Sequence, residues 1–242
     1  MNKYILITGG TKGIGKSVAT ELAKCGYNLI LTYASDIDAA VELEQSLRAN
    51  YDIDIHVLSA DITNEASLDT IVSYINDNGI KLFSIIFNAG ITSRTPFADI
   101  ELKDWQNVFF ANVHFPVFLI QKLLPYIEHG GNIVFTGSLM GIYPHSVSLA
   151  YGVTKSAVHA LVQNMVKFLA PQKIRVNAIA PGFVDTEWQK TKPAEIRKRI
   201  EDKIALERFC DPSELAQVYK LIVENSYLNG EIITVSGGYS YK

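Results

Sequence analysis

Short runs of apolar, mostly β-branched or aromatic residues alternate with longer amphipathic stretches along the whole chain. The runs predict strands at residues 4–8, 28–33, 54–58, 84–88, 132–136, 175–179 and 232–235. Several are apolar on both faces, as parallel strands become when helices cover the two sides of a sheet. Between them, apolar positions recur at helical spacing over 16–25, 39–50 and 67–77. This alternation predicts an α/β fold, with one doubly wound domain over residues 1–242 built on a seven-stranded parallel sheet. Ligands of such sheets bind beyond the carboxyl ends of the strands, so the residues following each strand are the ones to read for chemistry.

Two stretches depart from the pattern. Residues 108–127 are apolar enough to raise the question of a membrane span, but Asn112, His114, Pro116, Gln121 and Lys122 interrupt them. A helix covered by the sheet and by neighbouring subunits is the expected form. Residues 183–208 are rich in Lys, Glu and Arg and read as a solvated helix or a flap; their place after the sixth strand favours a flap over a site.

Composition narrows the classes further. With 48% hydrophobic residues in 242, the chain can bury a sizeable core without disulfides or metals. A formal charge of −3 gives no ground for a nucleic-acid or anionic-membrane partner. Cys25 and Cys210 form neither a CxxC nor a metal-ligand spacing, so both are expected as reduced thiols of a cytoplasmic protein. The apolar run at Tyr4-Ile5-Leu6-Ile7 is too short for a signal peptide, and no targeting segment is expected.

After the first strand the chain reads Thr8-Gly9-Gly10-Thr11-Lys12-Gly13-Ile14-Gly15, then turns helical. Glycines here let the backbone approach a pyrophosphate at a helix N-terminus, although a tight turn without a ligand looks similar. At the end of the second strand an acid would accept from the ribose 2′-OH of NAD; Tyr33 stands there instead. With Lys12 in the glycine turn, NADP(H) is favoured, while Asp36 keeps NAD(H) open. Asp61 and Ile62 follow the third strand, where a carboxylate can accept from the adenine amino group. Asn88-Ala89-Gly90 follow the fourth, where small residues leave room beside a ribose. Each also reads as ordinary strand-end turn chemistry.

Further along, Tyr151 and Lys155 open a helix at a spacing that puts both on one face. A phenol ionises near pH 10, too high for ready proton exchange at neutral pH, and a neighbouring ammonium lowers that value. Ser138 ends the fifth strand, where its hydroxyl can hydrogen-bond a carbonyl oxygen or simply cap a turn; no G-x-S-x-G elbow supports a hydrolase. Asn112 could anchor a water leading to Lys155, or satisfy a backbone carbonyl.

Taken in order, these motifs resemble the short-chain dehydrogenase/reductase family over essentially the whole chain, from Thr8-Gly9 to Gly237-Gly238. The resemblance implies a Rossmann-like fold and a catalytic tetrad of Asn112, Ser138, Tyr151 and Lys155, with Lys155 also holding the nicotinamide ribose. It implies that Pro181, Gly182, Val184, Asp185 and Thr186 contact the nicotinamide half, and that the chain forms a homotetramer. The run from Ile174 to Gly182 and the ending Asn229-Gly230-Glu231-Ile232-Ile233 look most like the 3-oxoacyl-(acyl-carrier-protein) reductases. The expected reaction is NADPH-dependent reduction of a ketone or acyl thioester. Leu139, Met140, Ile142, Tyr143, Pro144, His145 and residues 183–188 would line the substrate pocket. Glu128, His129 and Gln172, with only Lys173 adjacent, stand where a grip on an acidic carrier protein would need basic residues. Reduction of an unrelated small ketone or quinone therefore stays open. So do a non-catalytic dinucleotide-binding regulator, which loss of Tyr151 or Lys155 would have supported, and a sugar-nucleotide epimerase or dehydratase, whose chains usually extend further.

Overall fold

The computed structural model describes residues 3–145 and 147–241. It contains the seven strands β1 (Tyr4–Thr8), β2 (Asn28–Tyr33), β3 (Ile55–Ser59), β4 (Leu82–Phe87), β5 (Ile127–Thr136), β6 (Arg175–Pro181) and β7 (Ile232–Val235). The helices are α1 (Gly13–Lys24), α2 (Ile37–Asn50), α3 (Ala66–Asp77), α4 (Leu102–Phe109), α5 (Phe115–Leu123), α6 (Leu149–Leu169), α7 (Glu187–Lys190), α8 (Ala194–Glu201) and α9 (Pro212–Glu224). The sheet is parallel throughout, in the order β3-β2-β1-β4-β5-β6-β7. The chain winds outward from β1 one way, then from β4 the other. The carboxyl ends of β1 and β4 therefore flank a crevice at the point of reversal.

Strand side chains alternate between two cores. Leu6, Ile30, Ile85, Ile133 and Val176 pack with α3, α5 and α6, through Leu68, Phe115 and Val158 among others. Their neighbours Ile5, Ile7, Leu29, Leu31, Ile86 and Val134 pack on the opposite face with α1, α2 and α9, where Leu22, Leu43 and Tyr219 lie. This period of two, with apolar residues on both faces, is why the strands read as unbroken hydrophobic runs. The buried Arg175 donates to the carbonyls of Ile222 and Val223 in the last turn of α9 and to that of Leu228, fixing that helix against β6.

Strands β1, β2 and β7 keep the expected bounds, most other boundaries shift by at most two residues, α1 begins three residues earlier than expected, and β5 differs by more. It pairs from Ile127, then jumps register from Leu82↔Ile127 to Ser84↔Asn132. The polar residues Glu128, His129, Gly130 and Gly131 loop out between, with Gly130 at φ 82°, and this bulge hides the strand's start in the hydrophobic pattern.

The apolar stretch is a continuous helical path, Leu102–Tyr126, long and apolar enough by composition to cross a membrane. Its inner side, with Ala111, Phe115, Leu119 and Leu123, belongs to the core, as expected of a covered helix. Between α4 and α5 the path widens into one π-helical turn, Phe110–His114, which the sequence periodicity did not reveal. Residues 183–208 form the short helices α7 and α8, and a β-bridge between Val184 and Cys210 ties the segment's ends together.

Candidate active site

The glycine turn lies at the crevice and is held from two sides. Gly9 N–H donates to the Thr32 hydroxyl at 3.2 Å, and Gly10 N–H to the Thr32 carbonyl at 3.0 Å. From β4, the Asn88 amide donates to the carbonyls of Thr8 and Gly9, while the Thr8 hydroxyl accepts from Asn88 N–H and Ala89 N–H. Asn88 thus secures the turn. Gly9 sits at φ 61°, and a Cβ on Gly15 would come within 2.1 Å of the Gly9 carbonyl oxygen. Thr11 is buried and Ile14 packs on the core beneath. Helix α1 starts with no side-chain cap and no acid in its first turn, so its leading N–H groups stay available to an anion. Thr186 lies across from Gly13, its methyl 3.3 Å from where a Cβ would stand. A turn narrowed to bare backbone, free donors and a facing wall together fit a pyrophosphate.

At the end expected to take the adenosine, Lys12 forms an ion pair with Asp36, the residue that caps α2 by accepting from Ala39 N–H. Both bonds hold the Asp36 carboxyl below its usual pKa, the lysine contributing most. Tyr33 ends β2 half-buried. Asp61 accepts from the amide and hydroxyl of Thr63, both at 2.8 Å, whereas Ile62 is buried in the core.

At Gly90 the two ends of the site meet: a Cβ there would lie 3.3 Å from Asn112 Oδ1 and 3.5 Å from Lys155 Nζ. The π-helical turn carries Asn112, whose amide is bonded through both its nitrogen and its oxygen. It donates to the Ile91 carbonyl and the Thr154 hydroxyl and accepts from Ile91 N–H. Of the two expected roles, the geometry shows the backbone partner. Ser148 caps α6 by accepting from Tyr151 N–H, and Thr92 donates to the same serine.

Tyr151, Ser138 and Lys155 converge above β5. Burial raises the phenol pKa, and a hydrogen bond from the Ser138 hydroxyl opposes that rise. The Ser138 oxygen also accepts from Met140 N–H at 3.1 Å. Lys155, fully buried, donates to the Thr136 carbonyl at 2.6 Å, and burial pushes its pKa down to about 8. Its ammonium lies 5.5 Å from the Tyr151 ring centroid. The sequence reading expects Lys155 to lower the phenol; here the lowering influence is Ser138, and burial outweighs it.

His159 was missed, although it follows Lys155 by one helical turn on the same face. Its Nε2 accepts from Ser138 N–H at 3.4 Å. A Cβ on Gly137 would lie 2.2 Å from that nitrogen, and one on Gly141 2.9 Å from the ring. The imidazole thus fills the bend that presents Ser138. Burial, reinforced by the Lys155 charge, brings its pKa down to about 4, so the ring is neutral at ordinary pH. Tyr219 was missed too; its hydroxyl bonds Thr136 Oγ1 at 2.6 Å, beneath the carbonyl that holds Lys155.

Beyond β6, Gly182 N–H donates to the Val235 carbonyl, Val184 is buried, and Asp185 pairs with Arg197 at 3.0 Å. Of the expected pocket residues, Leu139 is wholly buried, while Ile142, Tyr143 and Trp188 are exposed.

Backbone shaped for a dinucleotide, leading to a half-buried phenol and a buried amine at the switch point, defines an oxidoreductase of the nucleotide-binding kind. The chain belongs to the short chain dehydrogenase family, whose pattern it matches over residues 3–197. It is 35% identical to the uncharacterized oxidoreductase YmfI of Bacillus subtilis, covering 99% of both chains. It is 31% identical to the 3-oxoacyl-(acyl-carrier-protein) reductase FabG of Aquifex aeolicus, covering 98% of this chain and 96% of that one. Among solved structures, a short chain dehydrogenase from Burkholderia cenocepacia in complex with NADP superimposes with a TM-score of 0.92 at 25% identity, covering 99% of this chain and 98% of that one.

Proposed function

We propose that the chain is an NADPH-dependent carbonyl reductase acting on a ketone or 3-oxoacyl thioester. The observation that carries this reading is the convergence of Tyr151 with the buried Ser138 and Lys155 in one site beside Gly90. A reduced nicotinamide, when bound, supplies the hydride that adds to the carbonyl carbon. Tyr151 gives its proton to the carbonyl oxygen, completing the addition of two hydrogens across the C=O bond. A phenol kept protonated by burial suits the acid role. Ser138 donates a hydrogen bond to the oxygen as negative charge develops there. Lys155 lends a positive charge near the phenol and holds a nicotinamide ribose. Asn112 ties the 88–91 turn to α6 through Ile91 and Thr154. The turn residues Gly9, Gly13 and Gly15 take the pyrophosphate, and Thr186 closes over it.

NADPH is favoured because no acid ends β2 and the nearby Asp36 is already answered by Lys12. Likeness to the Aquifex reductase supports an acyl thioester substrate. Recognition of its carrier protein rests on that likeness alone, since Glu128 and His129 lie in the β5 bulge and Gln172 just before β6, at the sheet end opposite Ser138. The exposed Phe118, Val153 and Phe168 of α5 and α6 support assembly as a homotetramer.

Replacing Tyr151 with Phe tests the mechanism. Turnover should fall about 10²–10⁴-fold, the usual share of a general acid, with NADPH still bound. Near-normal turnover in Tyr151→Phe would contradict the assignment.

A further inference from the structure

Two cations on the segments that flank the site, Arg94 and Lys192, enter no ion pair among the described residues. Arg94 follows β4 on the loop whose Thr92 donates to Ser148, the cap of the helix that carries Tyr151. Opposite lies the 183–208 segment, and the Arg94 guanidinium sits 5.6 Å from the Trp188 ring centroid. A guanidinium over an aromatic ring uses its face and keeps its in-plane N–H donors for an oxyanion. Lys192, on the same segment as Trp188, is half-buried; burial first, and the Arg94 charge second, push its pKa down.

On the same segment Lys190 pairs with Glu187, Arg197 with Asp185, Lys198 with Asp202, and Arg208 with Glu214, whereas Arg199 and Lys203, like Lys192, enter no ion pair among the described residues. Among the described residues, no ion pair involves Arg94 or Lys192. Two like charges held near each other on a partly desolvated rim disfavour one another until an anion comes between them. They also make a local positive spot on a chain of net charge −3.

We propose that Arg94 and Lys192 bind an anionic group, phosphate or carboxylate, that the substrate carries beyond its reacting carbonyl. The proposal rests on the reductase reading and adds a substrate class to it: charged ketones are preferred over neutral ones of the same shape. Arg94 supplies directional donors from one wall, and Lys192 a mobile charge from the other.

Two matched pairs test it, with NADPH and the full chain. The first is acetoacetyl-S-phosphopantetheine against acetoacetyl-S-pantetheine, which differ by one phosphate. The second is 5-oxohexanoate against its methyl ester, which differ by one carboxylate charge. The wild type should show a KM about tenfold lower for the charged member of at least one pair, and the pair concerned identifies the anion. In Arg94→Gln/Lys192→Gln that ratio should fall to near one. Equal KM values within both pairs, or a ratio that survives the double substitution, would overturn the proposal. Calorimetric titration of the NADPH complex with phosphopantetheine, pantetheine, hexanoate and methyl hexanoate gives a readout free of turnover. Binding that ignores charge in both pairs overturns the anion site. Charge-dependent binding that the double variant abolishes, without reduction of any ketone, upholds the site and overturns the reductase reading instead.

Discussion

On the proposed reading Lys12 would discriminate between cofactors from within an ion pair, so its partner matters as much as its own charge. Lys12→Ala should raise the KM for NADPH about tenfold or more and leave that for NADH nearly unchanged. Asp36→Asn keeps an oxygen to cap α2 through Ala39 but frees the lysine, and should lower the KM for NADPH severalfold. Equal effects on both cofactors would sink the NADP assignment. His159 acts through a different kind of bond. His159→Leu leaves the buried Ser138 N–H without an acceptor, which costs about 1–3 kcal/mol of stability and should lower kcat more than it raises KM; His159→Gln should restore much of kcat. Folded, the ring stays neutral down to about pH 4, while an unfolded histidine takes up a proton near 6.5. The unfolded state therefore binds more protons between those values, and stability falls as pH drops from 6.5 to 4. Thermal melts across that window should be flatter in either variant than in the wild type. Tyr151, Lys155 and Ser138 were legible because helix spacing and strand-end position fix where they lie. The Ser138 bond to Tyr151 was not, because it depends on how far the loop after β5 folds back.

Elements show which parts of the site are backbone and which are side chain. In the β1–α1 turn the chemistry is carried by missing side chains. Gly15→Ala would drive a methyl to 2.1 Å from the Gly9 carbonyl and 2.7 Å from the Asn88 amide, atoms of the turn itself. A fluorescence titration with NADPH should then show binding lost or reduced by orders of magnitude, and wild-type affinity would argue against a pyrophosphate at this turn. The turn could be read from its glycines. The π-helical turn could not, since one extra residue in a helical path barely disturbs an apolar pattern that faces the core on one side. Yet that extra residue sets Asn112 against Ile91 and Thr154. The bulge before the paired run of β5 was hidden for the opposite reason, since Glu128 to Gly131 look like a loop and are embedded in a strand.

For the whole molecule, the strand order follows from the alternation of elements together with right-handed crossovers, and only a few topologies satisfy both. That order is what brings residues as distant as Gly9, Gly90, Ser138 and Tyr151 to one crevice. Ends of strands were visible in the sequence; how the 183–208 segment meets the loop holding Arg94 was not, because no periodicity encodes a contact between two irregular segments. The central claim is that this crevice moves a hydride from NADPH to a carbonyl carbon while Tyr151 supplies the proton. Incubation with NADPH deuterated at C4, on the face the enzyme uses, and an acetoacetyl thioester tests it most directly. Mass spectrometry should find one deuterium on the carbinol carbon of the 3-hydroxy product, formed in step with loss of NADPH absorbance. NADPH consumed without label in the product, or no product with either face labelled, would contradict the account.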